Sequence, residues 1–220
     1  MSICLKVWGD YACFTRPELK TERVSYHTMT PSAARGIVES IFWHPGLRWC
    51  IDSIRVCAPI RFTNVRRNEV KATVNVKTAR TAMKRGTDNL YLVTSENIQQ
   101  RAAMILRDVR YIIEAHFEMT ERAAPGDNPG KFQDIVRRRI QKGQFYSQPY
   151  LGCREFPAHF RPCEEVPPCP KELQGERDLG YMLWDLDYSD PANITPLFFH
   201  AVLLDGVLRV PGRDSGEVIG

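Results

Sequence analysis

The chain has 220 residues, 43% of them hydrophobic and 25% charged, with a formal net charge of +4. That length buries a core as one large domain or two small ones, and the balance is that of an ordinary folded domain. No apolar run approaches the roughly 20 residues of a membrane span, and the alternating start MSICLKVWGD does not read as a signal peptide.

Ser2 to Gly9 alternates, with Ile3, Leu5 and Val7 on one side and Cys4, Lys6 and Trp8 on the other, which predicts a strand. Thr30-Pro31 is a cap followed by proline at the first helical position, and Ala34, Val38 and Ile41 or Phe42 supply that helix with an apolar face. The helix ends before Pro45-Gly46. Arg48 to Val56 predicts a second strand. Ile60 to Val65 and Glu69 to Val76 predict a basic hairpin, and Asn89 to Val93 a further strand. Ser95 reads as the cap of a helix running to about Arg107, and Tyr111 to Met119 alternates as a strand. The predicted order β-α-β-β-α-β is the ferredoxin-like pattern used by many RNA-binding modules.

Asp127-Asn128-Pro129-Gly130 marks a break. Lys131 to Lys142 reads as a helix with Phe132, Ile135, Val136 and Ile140 inward. Phe145 to Phe160 reads as irregular, Leu179 to Tyr188 as a strand, and Asp205-Gly206 as the turn of a hairpin within Phe198 to Val210. The expected class is therefore α+β. A ferredoxin-like (RRM-like) domain over residues 1–125 precedes a region, 126–220, made of a basic helix and a small antiparallel β-rich part.

Charge is unevenly spread. Arg48 to Arg85 holds ten Lys or Arg against Asp52 and Glu69, a net of +8, whereas residues 164–190 carry eight acids against two bases, a net of −6. Concentrated positive charge is the footprint of a polyanion binder, although a solvated face is the plainer reading. The seven cysteines are odd in number and scattered, which points to a reducing cytoplasm. No CxxC occurs, and no Cys or His pair accompanies Cys163 and Cys169 at zinc spacing, so neither a metal nor another cofactor is expected. Cys4 and Cys57 read as small core residues.

Five segments together resemble one family: VWGDYACFTRPELKTERVSYHTMTPSAARGIVESIFWHP (7–45), RFTNVRRNEV (61–70), QQRAAMILRDVRYIIEAHFEMT (99–120), PYLGCREFPAHF (149–160) and RDLGYMLWDLDY (177–188). On these residues the chain is similar to the subtype I-C CRISPR-associated Cas5d family, in order and over nearly its whole length. The resemblance implies a ferredoxin-like N-terminal domain and a β-rich C-terminal region. It implies metal-independent cleavage of precursor CRISPR RNA in the repeat hairpin. It also implies retention of the 5′ handle among the other subunits of a type I-C Cascade complex. Some family members are reported to bind duplex DNA as well. The alternative it leaves open is a subunit that holds the RNA handle, or duplex DNA, without cutting.

Metal-free RNA cleavage needs a base for the 2′-OH, an acid for the 5′-oxygen leaving group and a cation beside the phosphorane. His116 is the leading candidate, on the more polar face of its strand with Glu114 and Glu118 two residues either side. The plainer alternative is a histidine balanced by two carboxylates on a solvated strand. The resemblance implies an active centre of Tyr, Lys and His. His116 fits the His. Ala115 stands at the Lys position, and Phe42-Trp43-His44 at that of the Tyr, so His44 becomes a substitute acid or base and a nearby Arg a substitute phosphate clamp. Tyr26 with His27 is a second candidate pair, with packing as its plainer role. For RNA binding, Arg61, Arg66, Arg67 and Lys71 come first, then Arg23 and Arg35 around the first helix start, then Arg137, Arg138 and Arg139. Tyr11, Phe14 and Trp43 are candidate stacking platforms, core packing being the alternative.

Overall fold

The computed structural model describes residues 2–19, 21–87 and 90–220. Its elements run β1 (Ser2–Ala12), α1 (Pro31–Ile41), β2 (Leu47–Val56), β3 (Phe62–Val70), α2 (Val76–Arg85), β4 (Ile98–Met119), α3 (Pro129–Lys142), β5 (His159–Pro162), β6 (Glu176–Asp187), β7 (Thr195–Leu204), β8 (Val207–Arg209) and β9 (Val218–Ile219). The molecule is mixed α/β: three α-helices among the described residues and one large antiparallel sheet. Its strand order is β5-β1-β4-β2-β8-β7-β6, with β3 paired to β4 and β9 to β7.

The helix ends follow their local chemistry. Thr30 Oγ1 accepts from the Ala33 N–H at 3.2 Å with Pro31 inside the first turn of α1. Asn128 Oδ1 accepts from Lys131 N–H at 2.9 Å to open α3, and Gly143, at φ +63°, closes it. Both helices cover one face of the sheet. Phe132 of α3 meets Phe42 and Phe117 at ring separations of 5.8 and 6.2 Å, and Trp49 donates from its ring N–H to the Phe42 carbonyl. Ile3, Leu5 and Val7 of β1 and Ile113, Ala115 and Phe117 of β4 point into this core.

Three sequence expectations are corrected. The helix from Ser95 to Arg107 is absent: Ile98 to Leu106 is the first half of β4, paired residue by residue with Val70 to Phe62. Those residues are good helix formers, but a paired neighbour outweighs local preference, and Ala103 and Ile105 bury while Ala102 and Met104 stay exposed. The basic hairpin within 60–76 is therefore the single strand β3, whose partner lies beyond α2. The strand expected at Asn89–Val93 begins outside the described residues, and Leu90–Val93 form no strand. By contrast Asp205 and Gly206, at φ +48° and +75°, make the tight turn between β7 and β8.

Candidate functional site

On the sheet face away from α3, a cavity of about 540 Å³ opens between β2, β4 and the segments after β6 and β8. Strand alternation carries His116 and Glu118 of β4 to this face, and the antiparallel register sets Cys50 of β2 opposite His116. Across from them, β2 holds an extra residue. Ile51 pairs with Ala115 and Ser53 with Glu114, leaving Asp52 without a partner on β4. Such a bulge turns one side chain out of its regular row. Asp52 Oδ1 lies 2.7 Å from His116 Nδ1.

This contact sets the tautomer. An ionised carboxylate only accepts, so Nδ1 carries a proton, and in the neutral ring Nε2 keeps its lone pair on the cavity side. Nε2 lies 4.0 Å from Glu118 Oε1. The other Glu118 oxygen accepts from Arg48 Nη2 at 2.6 Å, and this bond holds the Glu118 carboxyl below its ordinary range. Glu114, expected to flank His116, instead accepts from Ser53 Oγ at 2.6 Å. Burial and the Glu118 charge push the Cys50 thiol up.

The three residues named from sequence as catalytic do not converge. His116 lines the cavity; His44 and Tyr26 do not. His44 stacks on Phe132 at 4.8 Å, and its Nδ1 accepts from the Gly46 N–H at 3.0 Å, so it shapes the loop after α1. Tyr26 is 2% exposed, and its hydroxyl accepts from the Leu183 N–H at 3.2 Å. Burial raises its pKa, so the hydroxyl stays protonated near neutral pH. Ala115 is fully buried on the helix side and Phe42 nearly so; neither position faces the cavity.

The expected RNA-binding residues also divide. Arg66 on β3 with Arg61 and Lys71 just beyond its ends, and Arg137 and Arg138 on α3, are exposed and make no ion pair among the described residues. The others have structural partners. Arg67 pairs with Glu155 and lies over the Phe156 ring; Arg23 reaches Glu69 and Glu155. Arg35 forks onto Asp185, Nη1 to Oδ2 at 2.6 Å and Nη2 to Oδ1 at 3.1 Å, which ties α1 to β6. Arg139 donates to the Ile41 carbonyl at 2.6 Å and lies over Phe42. Of the stacking candidates, Tyr11 and Trp43 are exposed and Phe14 is core. All seven cysteines are free; Cys4 and Cys57 are half-buried rather than core.

Sequence reading missed Asp52 and the position of Arg48. One signal was present. Apolar residues of β2 step by two from Trp49 to Ile51 and from Ile54 to Val56, but by three between Ile51 and Ile54, the mark of an inserted residue.

The model of the family described as CRISPR-associated protein (Cas_Cas5), Cas5d, matches residues 2–211. The chain is 50% identical to the CRISPR pre-crRNA endoribonuclease Cas5d of Mannheimia succiniciproducens, over 98% of this chain and 97% of that one. It is 39% identical to the protein of the same name from Thermus thermophilus, over 97% and 93%. Among solved structures, a CRISPR-associated protein (22% identity) and a functionally uncharacterized protein from Streptococcus mutans (20%) share the fold. Each has a TM-score of 0.70 and covers 100% of this chain and 97% of its own.

Proposed function

The chain belongs to the CRISPR-associated Cas5d family, and we propose that it is a metal-independent endoribonuclease. It cuts precursor CRISPR RNA in the repeat hairpin and keeps the 5′ handle within a type I-C Cascade complex. The observation that carries this reading is the His116–Asp52 pair, with Nε2 open to the cavity, in a chain 50% identical to a protein named for that activity. In the proposed step His116 Nε2 takes the proton of the 2′-OH, the 2′-oxygen attacks phosphorus, and the bond to the 5′-oxygen breaks, with water returning a proton to it. The products are a 2′,3′-cyclic phosphate and a 5′-hydroxyl. Asp52 fixes the ring and stabilises the imidazolium that forms. Arg48, 59% exposed beside Glu118, is the cation proposed to steady the phosphorane.

The order β5-β1-β4-β2, with α1 and α3 as the two crossovers, supports a ferredoxin-like, RRM-like frame to which β3 and α2 are additions. Segment 1–125 holds the proposed dyad; segment 126–220 contributes α3, β5 and part of the cavity wall. None of the described helices is long and apolar enough to cross a membrane. An odd set of unpaired cysteines supports a reducing, cytoplasmic setting.

A second reading, a subunit that binds the RNA handle or duplex DNA without cutting, is favoured by the dispersal of His44 and Tyr26 from His116. Cognate repeat RNA incubated with the protein in EDTA separates the two. The nuclease reading expects a discrete product ending in a 2′,3′-cyclic phosphate, reduced at least about 10²-fold in His116→Ala. Tight binding with no product at all would establish the second reading instead.

A further inference from the structure

We infer that Cys50, His116 and Glu118 form a binding site for a thiophilic divalent cation, best matched by Zn²⁺, whose occupancy withdraws His116 from proton transfer. The regulatory half of this inference rests on the nuclease reading; the site itself does not.

The Cys50 sulfur, a His116 ring nitrogen and a Glu118 carboxylate oxygen lie within 4.8 Å of one another. The sheet builds this cluster. Cys50 and His116 are register partners on adjacent strands, and Glu118 follows on the same face of β4. Nε2 and Oε1 are 4.0 Å apart. Bonds of about 2.0–2.3 Å from each ligand to one central ion require only small side-chain rotations from this spacing.

The surrounding contacts orient two of the three ligands. Asp52 holds Nδ1, which leaves Nε2, 4.0 Å from Glu118, as the nitrogen free to coordinate; a carboxylate behind a histidine is the usual support of a metal-bound ring. Arg48 holds Glu118 by one oxygen and leaves the other available. Further coordination positions open to the cavity and to water. The donor set decides the ion. One sulfur, one imidazole nitrogen and one carboxylate suit Zn²⁺ or Co²⁺, whereas Mg²⁺ and Ca²⁺ demand oxygen. An Nε2 lone pair shared with a cation cannot accept the 2′-OH proton, so the bound ion acts as an inhibitor of metal-free chemistry rather than as its cofactor.

Titration with Co²⁺ tests the site directly. One ion per chain with a sulfur-to-cobalt charge-transfer band is expected, displaced by Zn²⁺. Cys50→Ser abolishes the band and weakens Zn²⁺ binding at least about tenfold, while Cys163→Ser keeps it. Asp52→Asn keeps the band but weakens Zn²⁺ roughly 10–100-fold. No band in the native protein, or the same band in Cys50→Ser, overturns the site. Repeat-RNA cleavage is then compared with and without stoichiometric Zn²⁺, each protein against itself in EDTA. Zn²⁺ is expected to slow the native protein at least about tenfold and to leave the Cys50→Ser ratio near one; equal ratios overturn the inhibition. A native protein that never cuts in EDTA refutes the nuclease reading, and the cobalt band still decides the site.

Discussion

At the residue scale, function rests on which nitrogen of His116 is free, and one bulged aspartate decides that. Asp52→Asn keeps the size of the side chain but offers an amide able to support either tautomer. The cleavage rate is expected to fall about 10²-fold or more while the Kd for repeat RNA stays within about twofold, as single-turnover kinetics beside a binding isotherm would show. Tyr26→Phe makes the opposite case. It leaves the Leu183 N–H without its acceptor, and chemical denaturation should show a loss of about 1–2 kcal/mol with cleavage unchanged. A large drop in rate would return Tyr26 to the catalytic set. His116 itself was legible in sequence because period-two alternation fixes which face a strand residue takes. That His44 and Tyr26 do not line its cavity was not, since both lie far from it along the chain.

At the scale of elements, the Arg35–Asp185 fork joins α1 to β6 on the cavity wall, and it spends on structure a cation that sequence reading assigned to RNA. Burial raises the Asp185 pKa and Arg35 opposes that rise. A carboxyl whose folded pKa lies above its unfolded value of about 3.9 adds stability below that value and loses it as pH rises through the folded pKa. Arg35→Gln removes the main opposing charge, raises the folded value further, and leaves a buried carboxylate supported only by the Leu186 N–H and the more distant Arg213 at neutral pH. With Arg35 partly exposed, the cost should be about 2 kcal/mol, or roughly 5 °C in Tm, at pH 7. Tm measured at falling pH should show the deficit shrinking toward pH 4; a deficit independent of pH would mean that Asp185 is not the group responsible. Elements with strong local signals, such as the caps of α1 and α3 and the Asp205-Gly206 turn, were readable in place. The first half of β4 was not, because its residues favour helix and only pairing with β3, across α2, makes them a strand.

At the scale of the whole molecule, clustered charge separates into cations held by carboxylates and cations open to solvent. Arg61, Arg66 and Lys71 belong to the second kind. Replacing all three by Gln should lower the slope of log K against log salt for repeat-RNA binding by about 2 units and leave Tm unchanged. An unchanged slope would move the RNA path elsewhere, to α2 or α3. The sequence by itself determined the family, the mixed α/β class, the polar face that carries His116 and the surplus of positive charge over Arg48 to Arg85. The family is carried by the five segments that match it; the other three are properties of composition and local period, which need no knowledge of distant partners. Only the tertiary structure decided that Asp52 is the residue behind His116, that Arg23, Arg35, Arg67 and Arg139 are already engaged, and that Cys50 and Glu118 meet at the same imidazole. The Asp52 and Cys50 contacts with His116 are set by strand register, a property of the pair rather than of either strand, and the arginine contacts by how helices and loops pack against the sheet, so each joins segments far apart in sequence.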